Sequence, residues 1–433
     1  MLNSSLLAAA TDVINSNDPV QFRITARFIN SEPGSTFNFT PFKINQLIID
    51  RNYAENFADE IDLEFMISPK DYALIQDQGQ NLLCILTVAY MSKTGKVVTT
   101  PLPIQIQYNV MIVNPRDIRN AVPDVQMYTT PSETITVRLV EKTVYELRQT
   151  KLNVIYQKMN VTQAIHAIAS SFNIKKVHLT PPDNTFVYDH IVISSYQNMG
   201  SVYPYLQSNL GVYQKGINAY LTNDILYVYP AFETDPKYDK TAMFYQVDTG
   251  RFAGSHIFHK RSTDSVSIVV PSQPHTTDLS VAGSENVGTG FVFVKASRLT
   301  DGLTTIDSAL GAQFTHDPSL SVALSSVRTV IKSVNNLFHV QGTDNPFPHM
   351  AKIAAHQASI MKMRWDNADP FLIDPPQRVI YYYDRNGTMI RKTGMFEKVK
   401  YMISYIKKIH QDDIFGCIAD VTLRLSPNES ELI

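Results

Sequence analysis

The sequence predicts a β-rich α+β chain: two antiparallel β domains of barrel or sandwich type, a small α+β module between them, and a partly helical insertion in the second β domain. Three observations support this. Apolar residues alternate with polar ones in both terminal parts, a capped amphipathic helix follows in the middle, and Asn386-Gly387 separates two strand-like runs near the end. Side chains return to the same face every two residues in a strand and about every 3.6 residues in a helix. The spacing of apolar residues therefore distinguishes β regions from helical ones.

The first β domain is expected over residues 19–125. Its clearest alternating runs are Phe22 to Phe28, Ile61 to Ile67 and Ile104 to Ile112, each with one apolar and one polar face. Such strands bury one face and expose the other. Between them, Ser68 followed by Pro69 predicts a short capped helix, since proline fits the first helical position.

The polar faces of two of these strands are the places where a wet surface is expected. They carry two alternative sets of side chains, which are Asp62 and Glu64 on one strand and Gln105, Gln107 and Asn109 on another. Both sets are acidic or neutral.

The α+β module is expected over residues 126–235, after a proline-containing linker at 114–131. Asn160 and Gln163 have the spacing of a capping box, which predicts a helix from Val161 to Phe172. A second helix is expected from Ser201 to Leu210, with Pro204 in its first turn and Gly211 at its end. Asn223-Asp224 predicts the turn of a hairpin. The apolar stripes of the two helices supply the predicted core of the module, which is Ile165, Ile168, Phe172, Leu206 and Leu210.

The second β domain is expected in two parts, 236–298 and 371–433, around an insertion at 299–370. Within the insertion, apolar spacing favours a helix from His349 to Arg364, with a further helix near residues 320–334. Asn386-Gly387 is a strong hairpin signal. Residues 1–18 are expected to form an N-terminal arm.

Composition excludes several classes of protein. With 38 basic and 40 acidic residues the formal charge is −2, so the chain lacks the basic excess with which proteins grip nucleic acid. No lysine or arginine precedes the short apolar stretch at the N-terminus, so a secretory signal is not expected. The longest apolar run, Leu82 to Met91, is about half of what a membrane-spanning helix needs. Cys84 and Cys417 are expected to be buried free thiols.

No motif in the sequence indicates catalysis, a cofactor or a metal. The glycine-rich segment 283–290 has Thr289 where a phosphate-binding loop needs lysine, which favours a hairpin loop. His256 and His259 lie in an extended-looking segment, where residues three apart point to opposite faces. The run Tyr381 to Tyr383 is expected to be a strand with one buried face and one face at an interface. We therefore predict a protein that is not an enzyme.

The order of the middle and final segments resembles the central hub proteins of contractile phage-tail baseplates. The second module helix runs into Gly211-Val212-Tyr213 and then into the strand Ile225 to Pro230, which reads ILYVYP. Ser68 to Tyr72 is similar to the first tube-like domain of that family. The closing run from Pro375 to Gly394 is similar to the second.

The resemblance implies a structural virion protein without cofactors, made in the host cytoplasm and assembled into the tail baseplate. It implies a homotrimer whose six tube-like domains match a six-fold tail tube, with a central spike protein below and other baseplate (wedge) proteins around it. DNA would pass through the channel without specific binding, lined by Asp62 and Glu64 or by Gln105, Gln107 and Asn109, and no membrane partner is implied. Two alternatives remain, which are another tail component such as a tube-terminating or sheath-contacting protein, and a wall-degrading hydrolase.

Overall fold

A computed structural model describes residues 4–15, 20–92, 96–98, 103–112, 133–234, 240–247, 258–262, 264–271, 292–293, 339–340, 347, 351, 354–355, 359–375, 377–409, 412–426 and 430–432. The predicted linker at 114–131, the helix near 320–334, the glycine-rich segment 283–290 and His256 lie outside these residues.

The described residues of the N-terminal third form two α-helices, a short 3-10 helix at Gly79–Asn81 and seven strands. The α-helices and strands are α1 (Ser4–Asn15), β1 (Gln21–Asn30), β2 (Asn38–Phe39), β3 (Lys43–Asn52), β4 (Glu60–Ile67), α2 (Pro69–Asp77), β5 (Leu82–Met91), β6 (Ile104–Ile112) and β7 (Glu133–Glu141). The predicted short helix is confirmed as α2, whose N-cap Ser68 accepts a hydrogen bond from the Asp71 backbone with Pro69 at the first position.

The middle third is the α+β module. Its elements are α3 (Lys142–Gln149), β8 (Val154–Asn160), α4 (Val161–Ser171), β9 (Lys176–Leu179), β10 (Val187–Ile193), α5 (Met199–Asn209), β11 (Ile217–Thr222) and β12 (Ile225–Pro230). The capping box at Asn160 and Gln163 is confirmed. So is the hairpin turn at Asn223-Asp224, where both residues have positive φ angles.

The final part of the chain is described mainly as strands. They are β13 (Thr241–Val247), β14 (Phe258–Arg261), β15 (Ser265–Pro271), β16 (Val292–Phe293), β17 (His339–Val340), β18 (Ser359–Asp366), β19 (Arg378–Arg385), β20 (Thr388–Ile409), β21 (Asp412–Leu425) and β22 (Ser430–Leu432). Asn386-Gly387 forms the predicted two-residue turn between β19 and β20.

Eight antiparallel strands close into a barrel, in the order β1-β5-β6-β7-β4-β3-β20-β21 and back to β1. The closing contact pairs Gln21 with Gly416 and Phe22 with Phe415. Apolar side chains of alternate residues fill the interior, including Phe28, Leu63 and Phe65, all fully buried. The β-rich fold class predicted from alternation is confirmed.

The two longest strands belong to two parts of the same sheet. The first half of β20 pairs with β19, and from Lys398 onward the strand pairs with β3 of the barrel. A register irregularity between Phe396 and Lys398 marks the passage, and such bulges bend a strand. On the far side the sheet continues through β13, β15 and β14, while β18 pairs with β21. The terminal β regions therefore form one fifteen-stranded sheet.

Three details differ from the sequence prediction. The helix expected from His349 to Arg364 is wrong in its second half, because β18 occupies Ser359–Asp366. The alternate residues Met361, Met363 and Trp365 are buried there, which is the period-two pattern of a strand. The apolar residues of the segment also fit helical spacing, so the sequence pattern alone favours a helix.

The second helix of the module begins earlier than predicted. Asn198 is its N-cap and forms a capping box with Ser201, so Pro204 lies inside the helix instead of in its first turn. The third difference concerns β7. The sequence places its residues in the module, yet β7 pairs with β4 and β6 as a barrel strand.

Candidate functional site: a polar barrel face and a buried junction

The outer sides of three neighbouring barrel strands, β4, β7 and β6, carry mostly polar side chains, together with the exposed Met111 on β6 and Val140 on β7, which is buried against the module. The apolar residues of β4 point into the barrel, so Asp62 and Glu64 point outward and are half-buried. On β6 the same alternation leaves Gln105 and Gln107 exposed and Asn109 half-buried. The two sets of side chains that the sequence offered as alternatives thus lie on one outer side of the barrel, separated by β7.

One arginine partly balances the acidic side of this surface. Arg138 on β7 lies opposite Asp62 in the register, and its Nε donates to the Asp62 carboxylate at 2.9 Å. The same guanidinium lies 3.7 Å from Glu60. The hydrogen bond to Asp62 raises the pKa of Arg138. With Glu64 added, three carboxylates face one guanidinium, so the surface is polar and weakly acidic.

A second feature is a buried junction where the barrel meets the module and the loop before β19. Arg51 follows Leu47 and Ile49 on the inner face of β3 and is 7% exposed. Its Nε contacts the Asp59 carboxylate at 3.1 Å, and its guanidinium lies 5.5 Å from the centre of the Tyr401 ring. A buried charge is tolerated only when it is paired and hydrogen-bonded, and Arg51 meets both conditions.

The junction brings together segments far apart in the sequence. Arg51 donates to the backbone carbonyl oxygens of Pro370 and Ile373, in the loop between β18 and β19. The other Asp59 oxygen accepts a hydrogen bond of 2.6 Å from the hydroxyl of Tyr220, on module strand β11. The barrel, the module and the loop are therefore tied by one ion pair and its hydrogen bonds.

A second buried arginine lies close to the point where β20 enters the barrel. Arg424 on β21 is 6% exposed and forms a 3.0 Å ion pair with Glu397. It also donates to the Ala355 carbonyl, and its guanidinium lies 4.7 Å from the Phe232 ring centre at the end of the module. Both arginines thus lie where the barrel, the module and a segment next to β18 meet.

The five residues predicted to form the module core are placed as follows. Ile165 and Ile168 on α4 and Leu206 on α5 are fully buried in one apolar cluster, and Phe172 and Leu210 pack against its edge half-buried.

The thiols of Cys84 and Cys417 are buried and free as predicted, and burial raises the pKa of Cys84 to about 12. Such thiols are unreactive core groups.

Next to the Arg51 junction lies a cavity of about 200 Å³ between the barrel and the module. Polar groups on its wall include Arg51, Asp59, Tyr108 and Glu141, and aliphatic side chains cover much of the rest. Burial, followed by the nearby carboxylates of Asp224 and Asp59, raises the pKa of Glu141 to about 7. Sequence reasoning missed this site, because its residues come from strands and turns that are distant in the chain.

Within the described residues, no three His, Cys, Asp or Glu side chains converge as a metal site would require. None of the helices in this part of the chain combines the length and apolarity needed to cross a bilayer.

A protein-family model matches slightly less than half of the chain. Residues 37–242 match the family described as Bacteriophage PBS1 gene 109 protein. The match runs from β2 through barrel strands β3 to β7 and the whole module to the first residues of β13, while barrel strands β1, β20 and β21 lie outside it. It includes Asp62, Glu64, Gln105, Gln107 and Asn109, together with Arg51, Asp59 and Glu141. A comparison with curated proteins finds no match.

Among solved structures, the chain is similar to two bacterial tail proteins. The tail protein from Neisseria meningitidis MC58 is 12% identical, with a TM-score of 0.45 and coverage of 93% of this chain and 96% of that one. The 43 kDa tail protein of prophage MuSo2 from Shewanella oneidensis is 11% identical, with a TM-score of 0.46 and coverage of 92% and 98%. A chain of the lidded Francisella PdpA-VgrG complex is 10% identical, with a TM-score of 0.40, and 55% of its length is covered.

Proposed function

We propose that this chain is a structural component of a phage tail, and more specifically the central hub of a contractile-tail baseplate. The observation that carries the proposal is the family match over residues 37–242, which spans most of the barrel strands and the module together. The order of module helix, Gly211-Val212-Tyr213 and strand β12 supports the hub assignment by its resemblance to that family. The chain acts as a scaffold and not as an enzyme.

The hub would be a homotrimer around a channel. Each chain contributes two β regions, the closed barrel and the sheet beyond it, so three chains supply six units to a six-fold tail tube. Closed cyclic symmetry is the usual arrangement for such rings. A spike protein below, the tail tube protein above and other baseplate proteins around the ring are the proposed partners.

The polar outer side of β4, β7 and β6 is the proposed channel lining. Its carboxylates and amides would let DNA pass, whereas a lysine-rich lining would hold phosphates by releasing their counterions. Asp62, Glu64, Gln105, Gln107 and the partly covered Asn109 would face the axis. The ion pair with Asp62 neutralises the Arg138 guanidinium on this side.

Light scattering on the purified protein tests the assembly. The trimer has three times the chain mass of 48.8 kDa, so we expect a species of about 146 kDa. A hexamer would favour the second candidate, a tube-terminating protein.

A further inference from the structure

The cavity of about 200 Å³ between the barrel and the module has an amphipathic wall. Aliphatic side chains on the wall include Ile104 and Ile106 of β6 and Val144 of α3. Polar groups on the wall include Glu141 at the end of β7 and its neighbour across the ladder, Tyr108 on β6. Ligand sites in proteins commonly combine an apolar wall with a few convergent polar groups.

The charges around this cavity are unbalanced. Arg51 forms an ion pair with Asp59 at 3.1 Å, and Asp374 forms one with Lys240 at 2.7 Å. Glu141 has no such cation within the part of the chain that the structure describes, and the charged groups that act on it are the carboxylates of Asp224 and Asp59. An ionised Glu141 therefore lacks a counter-charge.

A second, independent observation points into the same space. Tyr108 is 5% exposed and lines the cavity, yet its hydroxyl makes no hydrogen bond to the described residues. The Tyr108 hydroxyl is not fully enclosed by protein and meets the cavity, so a bound donor can use its oxygen as an acceptor. A ligand with N–H groups would reach Tyr108 as an acceptor and Glu141 as a counter-ion.

We propose that this cavity binds an alkylammonium group, with the nitrogen at Glu141 and Tyr108 and the carbon chain along Ile104, Ile106 and Val144. A metal ion fits the wall less well, because no three metal-ligating side chains converge within the described residues. The group could be supplied by a free small amine or by a lysine side chain of a protein partner. The site does not depend on the tail role.

Ionisation of Glu141 sets the pH dependence of binding. Burial raises the pKa of Glu141 to about 7, so a proton competes with the ammonium at lower pH. The other charged groups around the cavity are Arg51, Asp59 and Asp374 on its wall and Asp224 at the hairpin turn. We expect binding to be tighter at pH 8 than at pH 6.

The test titrates the full chain with n-butylammonium chloride at pH 8, followed by calorimetry and by thermal unfolding. We expect saturable binding that raises the unfolding temperature, while n-butanol and tetramethylammonium chloride at equal concentration do not. Glu141→Gln should weaken binding about tenfold or more, the loss expected for a charge-assisted hydrogen bond. Tyr108→Phe should weaken it less.

Glu146→Gln is the matched control. It removes the same charge from an exposed side chain of α3 and should leave binding unchanged. Nα-acetyl-lysine amide, which keeps a free ε-ammonium group, distinguishes the two sources. Binding at least as tight as that of butylammonium assigns a partner's lysine, and weaker binding assigns a free amine. Absence of butylammonium binding, equal effects of tetramethylammonium, or unchanged affinity in Glu141→Gln would overturn the proposal.

Discussion

Arg51 and Arg424 are buried where segments far apart in the sequence meet. Each has an acidic partner, and Arg51 donates to two backbone carbonyls and Arg424 to one, so removing either guanidinium leaves polar groups without their donor. Breaking a buried pair costs more than the pair itself contributes, because the remaining charge stays buried. Arg51 therefore helps to hold the barrel to the module and to the loop before β19, and Arg424 helps to hold the barrel to the module end and to the residues before β18.

Replacing Arg51 by methionine tests this role. We expect Arg51→Met to lower the free energy of unfolding by about 3–5 kcal/mol, since Asp59 and two carbonyls lose their donor. Arg364→Met is the control, because the ion pair of Arg364 with Asp366 is largely exposed and such pairs contribute about 0–1 kcal/mol. If chemical denaturation gives the same loss in free energy of unfolding for both variants, the buried ion pair contributes no more than the exposed one.

Glu141 makes the stability of the chain depend on pH. Its pKa is about 7 in the folded state, against an ordinary value of 4.5, so folding disfavours the ionised form. Below about pH 4.5 the carboxyl is protonated in both states and does not lower the free energy of unfolding. As the pH rises through 7, that stability is lost because the buried group must ionise. We expect Glu141→Gln to match the wild type at pH 4 and to be more stable by about 1–2 kcal/mol at pH 8, after allowance for its partial exposure. A difference that does not change with pH would contradict this.

The strand β20 passes from one part of the sheet into the other, and Gly394 allows its close approach to β21. A Cβ atom at this position would overlap the Arg424 carbonyl oxygen and lie 2.8 Å from the Leu425 side chain. Since backbone cannot move aside easily, we expect Gly394→Ala to destabilise the chain by about 1–3 kcal/mol. Gly200→Ala on α5 is the control, because its Cβ would meet only ordinary contacts of 3.5 Å or more. Circular dichroism melts of both variants measure the difference.

The apolar cluster of the module gives a test at the same scale. Leu206 on α5 is fully buried with Ile165 and Ile168 of α4, so Leu206→Ala should cost about 2–5 kcal/mol. Leu74→Ala on α2 is a suitable control, because that side chain is 44% exposed. Unfolding temperatures that fall equally in both variants would argue against tight packing around Leu206.

Individual elements were predictable where a local signal exists. The caps at Ser68 and Asn160 and the Asn386-Gly387 turn each satisfy their own backbone groups, so the sequence near them is sufficient. The assignment of β7 and β18 required tertiary pairing. The junction at Arg51 and the cavity at Glu141 depend on partners from distant strands and turns, which no periodicity in a single segment contains.

At the scale of the whole molecule, the barrel is built from both ends of the chain. Six of its strands lie between residues 21 and 141, and the other two, β20 and β21, come from residues 388–425. Such long-range pairing needs the whole chain before the barrel can close. The same two strands extend into the second part of the sheet, so the two β regions are joined by continuous backbone and not by a flexible linker.

This continuity bears on the proposed ring. If each chain presents the barrel and the neighbouring sheet as two joined units, three chains place six units around one axis. The barrel of one chain would contact the second β region of the next, and the outer side of β4, β7 and β6 would line the channel. The Asp62, Glu64 and Gln107 side chains would then be found at the lumen.

Reconstruction of the assembled tail particle by electron cryomicroscopy tests the hub proposal most directly. The account predicts three copies around a three-fold axis, with the two β regions alternating around the ring and no lysine- or arginine-lined channel at their centre. Any other copy number, two β regions that do not alternate, or a basic lumen would contradict it.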